Sequence, residues 1–469
     1  MTTSITDIFN RTALLAVHEG TQATVDAALD AHVATGLAIV ADSAASDVRS
    51  QAALCTAVAT AVRAFGQVIV ITDGHRPLAA GPHRGYSIAD MIDQEGARHA
   101  DDLTDVPPDW PVLYLGDATL PAPDGGVRLR AGWSGWTAHV HPADTRAGHA
   151  VEGNVLAAIA AGALGVHEAF GAIRNRPGSD AGWRTIIVNL WQPGTGTDGP
   201  ELTHAPAAWW IVGLGHLGQA YAWVMSWLTY TDPPRVEIVL QDTQRVVDAN
   251  HSTGLLTPVK PDPVRKTRLA AAVLDRAGYN VVILDRRLDH TSRVLTEDHH
   301  VALLGVDSLD PRRLISEVGW KLAIDAGLGV GPADFNALLL RRFPAQVPSD
   351  QVLGWKEGVP QQRRAATAAL ADLEQRDPCG SVQLAGTAVG AAFVGVVTAC
   401  LAAAQGARAT LSGDGFDVIN LHLQANDVDL APATREVDVI GGRLLPEGDQ
   451  RPAISGTAAG EGSQDRVAR

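Results

Sequence analysis

Cysteine is scarce, with three residues in 469 and none near another in sequence. A disulfide framework is therefore excluded, and a reducing compartment is indicated. The same scarcity excludes a four-cysteine zinc site and leaves no close pair for a mixed cysteine–histidine one. Charge is also low: 19% of residues are charged against 46% hydrophobic, which excludes a disordered chain and supplies true cores. Basic residues are outnumbered 37 to 52, for a net charge of -15. An acidic chain repels phosphate backbones and anionic lipid, which argues against nucleic acid and membrane as partners. The opening MTTSITDIFNRTALL lacks a basic region followed by an apolar one, so no signal peptide is expected, and a cytoplasmic location is. The uncharged stretch from Gly380 to Gln405 is long enough to span a bilayer of ~30 Å. It is rich in Ala and Gly and poor in Leu, Ile and Phe, so a buried helix, with room for a loop before it, is expected. His299 and His300 read as surface or loop residues with no third partner at metal spacing.

The length predicts two or three domains. Residues 1–34 read as amphipathic helix, carrying Leu14, Leu15, Val17, Val25 and Leu29. Strands are expected at 36–42, 67–74, 112–117, 127–132 and 183–191, with an Ala-rich helix from Gln51 to Phe65 and a long helix from Val151 to Ile173. Alternating strands and helices predict an α/β fold with a mostly parallel sheet. Residues 192–206 are rich in Pro, Gly and Thr and read as a linker, after which the pattern restarts. The division is thus a first α/β domain over 1–191, a linker over 192–206, a second domain over 207–436 and a polar tail over 437–469. The Trp residues of Gly132–Trp136, together with Trp209 and Trp210, read as aromatic core anchors.

The chemistry is concentrated after the linker. An apolar run, Trp209 to Val212, leads into Gly213-Leu-Gly215-His-Leu-Gly218 and then an apolar helix. In a strand–GxGxxG–helix unit the first glycine permits the tight turn, the second lets backbone approach a phosphate, and the third lets helix pack on strand. The helix N-terminus then offers free N–H groups to an anion. The next strand ends in Asp242, 24 residues after Gly218, where a carboxylate can accept from ribose hydroxyls. To this point NAD and ATP enzymes look alike.

The following residues separate them. Asp242-Thr-Gln-Arg-Val246-Val-Asp-Ala-Asn250 resembles the D-x-D-x-V-x-x-x-N run of the ubiquitin-activating superfamily, which includes ThiF- and MoeB-like adenylyltransferases. Lys266 falls on the family's helix-start lysine, Asp307 on the Asp of its strand-end "D-n" pair, and residues 321–331, 379–405 and 415–424 on its later segments. The resemblance runs in one unbroken order from Ala207 to Asp427 and implies a Rossmann-like adenylation domain. It implies that Gly213, Gly215, Gly218, Asp242 and Asn250 hold ATP, that Lys266 neutralises phosphate charge and that Asp307 binds Mg²⁺. It also implies that the acceptor is the C-terminal carboxylate of a ubiquitin-like or carrier protein or a peptide.

The sequence departs from that pattern. Gln244 replaces the second Asp of D-x-D, and Thr253 stands where the family has a phosphate-binding arginine. A missing guanidinium removes a charge-assisted contact of ~1.5–3 kcal/mol. Arg265 and Arg268, flanking Lys266, are candidate replacements. Cys379, in the polar stretch RDPCGS read as a loop, is the candidate nucleophile for a thioester, whereas Cys55 and Cys400 lie in apolar helices and read as core. The first half has strand–helix alternation without a GxGxxG, as a degenerate adenylation-like copy would, so a homodimer or an internal pseudo-dimer is expected. Two alternatives stay open: a nucleotide-binding pseudoenzyme or scaffold, favoured by Gln244 and Thr253, and an NAD(P)-dependent oxidoreductase sharing the glycine loop and Asp242.

Overall fold

Short apolar runs closed by Gly, Asp or Pro become strands, and the Ala-rich runs between them become helices, in the computed structural model of the chain. It describes residues 9–41, 47–121, 125–145, 151–174, 176, 178–329, 331–356 and 366–446. The first sheet contains β1 (Gly36–Val40), β2 (Gln67–Ile71), β3 (Arg98–Ala100), β4 (Val112–Leu115), β5 (Arg128–Gly135), β6 (Thr137–Pro142), β7 (Val151–Gly153) and β8 (Ile186–Asn189). Its order is β3-β2-β1-β4-β5-β6-β8, with β7 on β5. After β9 (His204–Pro206) come β10 (Ala208–Val212), β11 (Glu237–Gln241), β12 (Asn280–Leu284), β13 (Val301–Leu304), β14 (Leu322–Leu328), β15 (Ala337–Phe343), β16 (Phe416–His422) and β17 (Asp427–Pro432). The second sheet runs β12-β11-β10-β13-β14-β15-β16-β17. In each sheet the first five strands in this spatial order are parallel and the remainder of the path is antiparallel. The parallel strands also share one order of connection. The α/β class with parallel-rich sheets is as the sequence pattern predicts.

The halves meet helix to helix. Val48–Ala64 and Val155–Arg174 of the first half pack with His216–Ser226 and Ala392–Ser412 of the second in one continuous apolar core. Alanine recurs along these helices, so their axes approach closely and the apolar stripe needs no long side chains. Val155–Arg174 and Ala392–Ser412 are each long and apolar enough to cross a membrane, yet both are core helices and mostly or wholly buried. Trp133, Trp136 and Trp209 are buried anchors, whereas Trp210 is only partly buried.

Several sequence expectations are corrected. Among the described residues, the N-terminal helix is two helices, Leu14–Glu19 and Val25–Val33, because Gly20 turns left-handed and ends the first. The long helix starts at Val155, after the short strand β7. The stretch from Gly380 to Gln405 is divided between helices Pro378–Ala385 and Ala392–Ser412. The strand expected over 183–191 is confined to β8, and Trp183 outside it is 75% exposed. His300 is buried, edge-on to Trp210, with its ring beside Asp298 and Glu237. The beginning of the tail is ordered: β18 (Gly441–Arg443) pairs antiparallel with β9, and Val439 and Leu444 are buried.

Two buried carboxylates lie near the junction. Arg63 Nη1 donates to Glu95 Oε2 at 2.8 Å, and Arg184 Nη2 to Glu168 Oε1 at 2.8 Å, while Arg184 also donates to the Gln424 carbonyl of the other half. Burial opposes ionisation of both, but Arg63 and His83 around Glu95, and His167 and Arg184 around Glu168, hold each carboxyl at about 2. A depressed native value stabilises the fold above the ordinary carboxylate range, and that contribution is lost as pH falls through the native value. Urea midpoints should therefore drop steadily from pH 4.5 toward pH 2, as the unfolding free energy falls by roughly 3 kcal/mol per carboxylate. Midpoints that stay flat across this window would contradict the assignment.

Candidate functional site

A cavity of about 1230 Å³ opens at the carboxyl ends of the second sheet's strands. Five residues singled out from sequence line it: Gly213, Gly215, Asp242, Lys266 and Asp307. Open α/β sheets bind ligands at this place, where the strand order reverses between β10 and β13. Gly213, at φ +82°, turns the chain out of β10, and a Cβ on Gly218 would stand 1.9 Å from the Gly213 carbonyl oxygen. Helix His216–Ser226 begins there with Gly215 as its N-cap and no side-chain cap, so its first N–H groups are left for another acceptor. A Cβ on Gly215 would meet nothing within 4 Å.

Asp242 fixes the loop. Its Oδ2 accepts from Leu214 N and its Oδ1 from Gln244 N, each at 2.6 Å. Lys266 is placed by backbone: Lys266 N donates to Gln244 O at 3.0 Å, beside a bridge between Arg245 and Arg265. Its Nζ donates to Gln244 Oε1 at 2.7 Å. The Gln244 amide thus orients the ammonium without neutralising it, as a second carboxylate would. Burial pushes the Lys266 amine down from its usual value, while Asp242 and Asp307 pull it back up. Asp307, exposed to the cavity, has no hydrogen-bond or ion-pair partner among the described residues.

Other lining groups carried no sequence signal of their own. Arg312 donates through Nη2 to the carbonyls of Val306 (2.9 Å) and Ala326 (3.1 Å), and its Nε lies 3.3 Å from Asp325. Burial raises the Asp325 carboxyl to about 6 against the pull of Arg312 and Arg341. Arg286 and Arg287, beyond β12, also line the cavity. So does His216, which burial holds at about 4 and therefore neutral at physiological pH.

Gly218 is not on the lining and packs against Gly213, and three further groups of sequence candidates lie elsewhere. Asn250 is not on the lining; its Oδ1 accepts from Val247 N at 3.0 Å and closes its own turn. Arg265 donates to the Thr243 carbonyl and pairs with Asp285, and Arg268 points to solvent, so neither lines the cavity. Cys379 is exposed and off the lining, and it sits in a helix where a loop was expected. Pro378 occupies the first helical turn, and Asp377 caps it by accepting from Gly380 N at 2.9 Å.

Residues 36–190 match the BilD N-terminal domain and residues 205–413 the BilD C-terminal domain. A bacterial E1-like protein BilD from Collimonas sp. (strain OK412) is 30% identical over 424 residues, covering 87% of this chain and 90% of that protein. The chain belongs to the bacterial E1-like BilD family. In this BilD-family chain one matched segment falls in each half: one runs from β1 to just past β8, the other from β9 through helix Ala392–Ser412. Among solved structures, E. coli MccB with ATP is 15% identical, covering 51% of this chain and 66% of that one, with a TM-score of 0.32. E. coli MccB with AMPCPP and MccA is 13% identical, covering 49% and 64%, with a TM-score of 0.30. The chain spans just under two thirds of those MccB chains.

Proposed function

We propose that the chain uses ATP to adenylate the C-terminal carboxylate of a ubiquitin-like protein or peptide. The convergence of Gly213, Gly215, Asp242, Lys266 and Asp307 on one cavity, in a member of an E1-like family, carries this reading. The cavity volume of about 1230 Å³ exceeds the ~300–1,000 Å³ of ordinary small-molecule sites and leaves room for a peptide tail beside a nucleotide. The glycine loop and the uncapped helix start would receive phosphates, and Asp242 would hold the ribose. Lys266 would neutralise phosphate charge as a point cation. The unpaired Asp307 carboxylate fits a hard divalent cation, and Mg²⁺ held there would neutralise phosphate charge. In the reaction a carboxylate oxygen attacks the α-phosphorus, the bond to the bridging oxygen breaks, and pyrophosphate leaves. Positioning and charge neutralisation are the main contributions asked of the protein.

Cys379 would then accept the acyl group as a thioester, its sulfur attacking the acyl carbon as AMP leaves. Its exposure at a helix start supports that role. Cys379→Ser should retain pyrophosphate release and lose a thiol-sensitive conjugate; a persisting conjugate would remove Cys379 from the reaction. We take the two halves as an internal pair, the first a degenerate copy, working in the cytoplasm. Sedimentation should accordingly give a monomer, and a stable dimer would overturn that part.

Titration calorimetry with Mg·ATP tests the site. Asp242→Ala and Lys266→Ala should each weaken binding by about tenfold or more relative to the parent chain. Asp307→Asn should bind ATP without metal as the parent does and lose most of the gain from added Mg²⁺. Binding of NAD⁺ in place of ATP would sink the reading in favour of an oxidoreductase. A nucleotide-binding scaffold, favoured by Thr253, would bind Mg·ATP but release no pyrophosphate with any ubiquitin-like protein.

A further inference from the structure

We infer that Arg63, from the first half of the chain, is a positioning residue for the glycine loop of the second. The inference rests on the reading of that loop as the nucleotide site. Arg63 lies near the end of helix Val48–Ala64 and is 1% exposed. All five of its N–H donors are used. Nη1 donates to Ala59 O (2.6 Å) and Glu95 Oε2 (2.8 Å), both in its own half. The other three donors reach three carbonyls of one loop in the second half: Nε to Gly254 (3.2 Å), and Nη2 to Leu255 (2.9 Å) and Thr257 (3.0 Å). Glu95 is steadied in turn by His83 Nε2 at 2.8 Å.

The far side of that loop is held by Gln219, the residue after the last glycine of the motif. Gln219 Oε1 accepts from Leu256 N and from Thr257 Oγ1, each at 3.0 Å, and Gln219 Nε2 donates to Leu214 O at 3.4 Å. A continuous strut therefore runs from Glu95 through Arg63, residues 254–257 and Gln219 to the middle of the glycine loop. Thr253, just before that segment, lies beside the cavity wall, where a Cβ on Gly390 would be 3.0 Å from its methyl.

Holding the halves together does not require this arrangement, because a continuous apolar core already joins them. A buried guanidinium is costly to desolvate and often no more stabilising than an apolar residue of its size. What it supplies is a planar fork that fixes three carbonyls in one geometry, which a lysine ammonium cannot reproduce. The first half, with no glycine loop of its own, would in this way set the shape of the loop in the second.

Two variants of the full chain test this: Arg63→Lys, which keeps the charge opposite Glu95, and Arg63→Met combined with Glu95→Gln, which removes both charges. Hydrogen exchange of the chain without ligand should accelerate about tenfold or more at residues 214–219 and 250–257, with β13 and β14 unchanged. Mg·ATP affinity should fall by about tenfold or more in both variants. Acceleration confined to 250–257, or spread evenly over both halves, would overturn the inference, as would an unchanged Mg·ATP affinity. A parent chain that fails to bind Mg·ATP would instead sink the adenylation reading, and the exchange pattern would then decide the role of Arg63 by itself.

Discussion

Lys266→Met is expected to lower adenylation by about a hundredfold or more, on the scale of removing one preorganised donor from an active site, and to leave the thermal midpoint within a few degrees. The two halves of that expectation have separate causes. Lys266 is 6% exposed, and its ammonium meets one neutral acceptor, Gln244 Oε1 at 2.7 Å. Burial already disfavours its charged form, so the folded state gains little from keeping it. Methionine fills the same unbranched channel without a charge to desolvate. The chemistry has no such substitute, since a triphosphate entering the cavity would lose the cation held between Asp242 and Asp307. Pyrophosphate release and a thermal melt on the same sample check both. Activity near the parent level would remove Lys266 from the mechanism, and a collapsed midpoint would make it a structural residue.

The glycine loop gives the second large effect, and the contrast between two of its glycines is the test. A Cβ on Gly218 would lie 1.9 Å from Gly213 O and 2.8 Å from Gly213 C, with backbone atoms that have no rotamer to change. Gly218→Ala should force the helix away from β10, costing about 3 kcal/mol and abolishing Mg·ATP binding. A Cβ on Gly215 meets nothing within 4 Å, although its backbone, at φ −77° and ψ −142°, lies outside the α and β regions. Gly215→Ala should therefore lose only the backbone cost, about 1 kcal/mol and less than Gly218→Ala, but weaken Mg·ATP, because the new methyl stands where phosphate would approach the backbone. Equal stability loss in the two variants would contradict the geometry, and unimpaired Mg·ATP binding in Gly215→Ala would place the phosphates elsewhere.

The part of the site legible in the sequence was the part built from adjacent elements. Gly213 to Gly218 and Asp242 end neighbouring parallel strands, and Lys266 starts a helix pinned to the segment after Asp242, so spacing along the chain carries their geometry. Arg312 and the wall at 388–391 join them only through strand order, which short-range pattern does not encode. Arg63 is a further step removed, since its partners lie 191 to 194 residues away in the other half. Gln244 looked like a lost carboxylate, but its amide holds the lysine, a role visible only once the side chains meet. Cys379 shows the opposite failure. Asp-Pro-Cys-Gly reads as a turn by composition, yet Asp as cap and Pro in the first turn are helix-start signals, and they prevail here. Of the fold, the alternation and the α/β class were legible, whereas the repeated strand order and the four-helix junction were not, because both depend on which elements become neighbours.

The short ribbon of β9 and β18 has a consequence for how the second half can be handled. His204–Pro206 and Gly441–Arg443 lie side by side as an antiparallel pair, so the segment between them enters and leaves the fold at one point. Such a segment is a cassette. It can be joined end to start by a linker of a few residues and reopened at a surface turn, or carried into a loop of another protein, without stretching either terminus across the molecule. A permuted chain of this kind would keep every strand of the second sheet and sever only the covalent path to the first. The junction helices and the hydrogen bonds that cross between the halves, those of Arg63 and Arg184 among them, would then carry what passes from one half to the other.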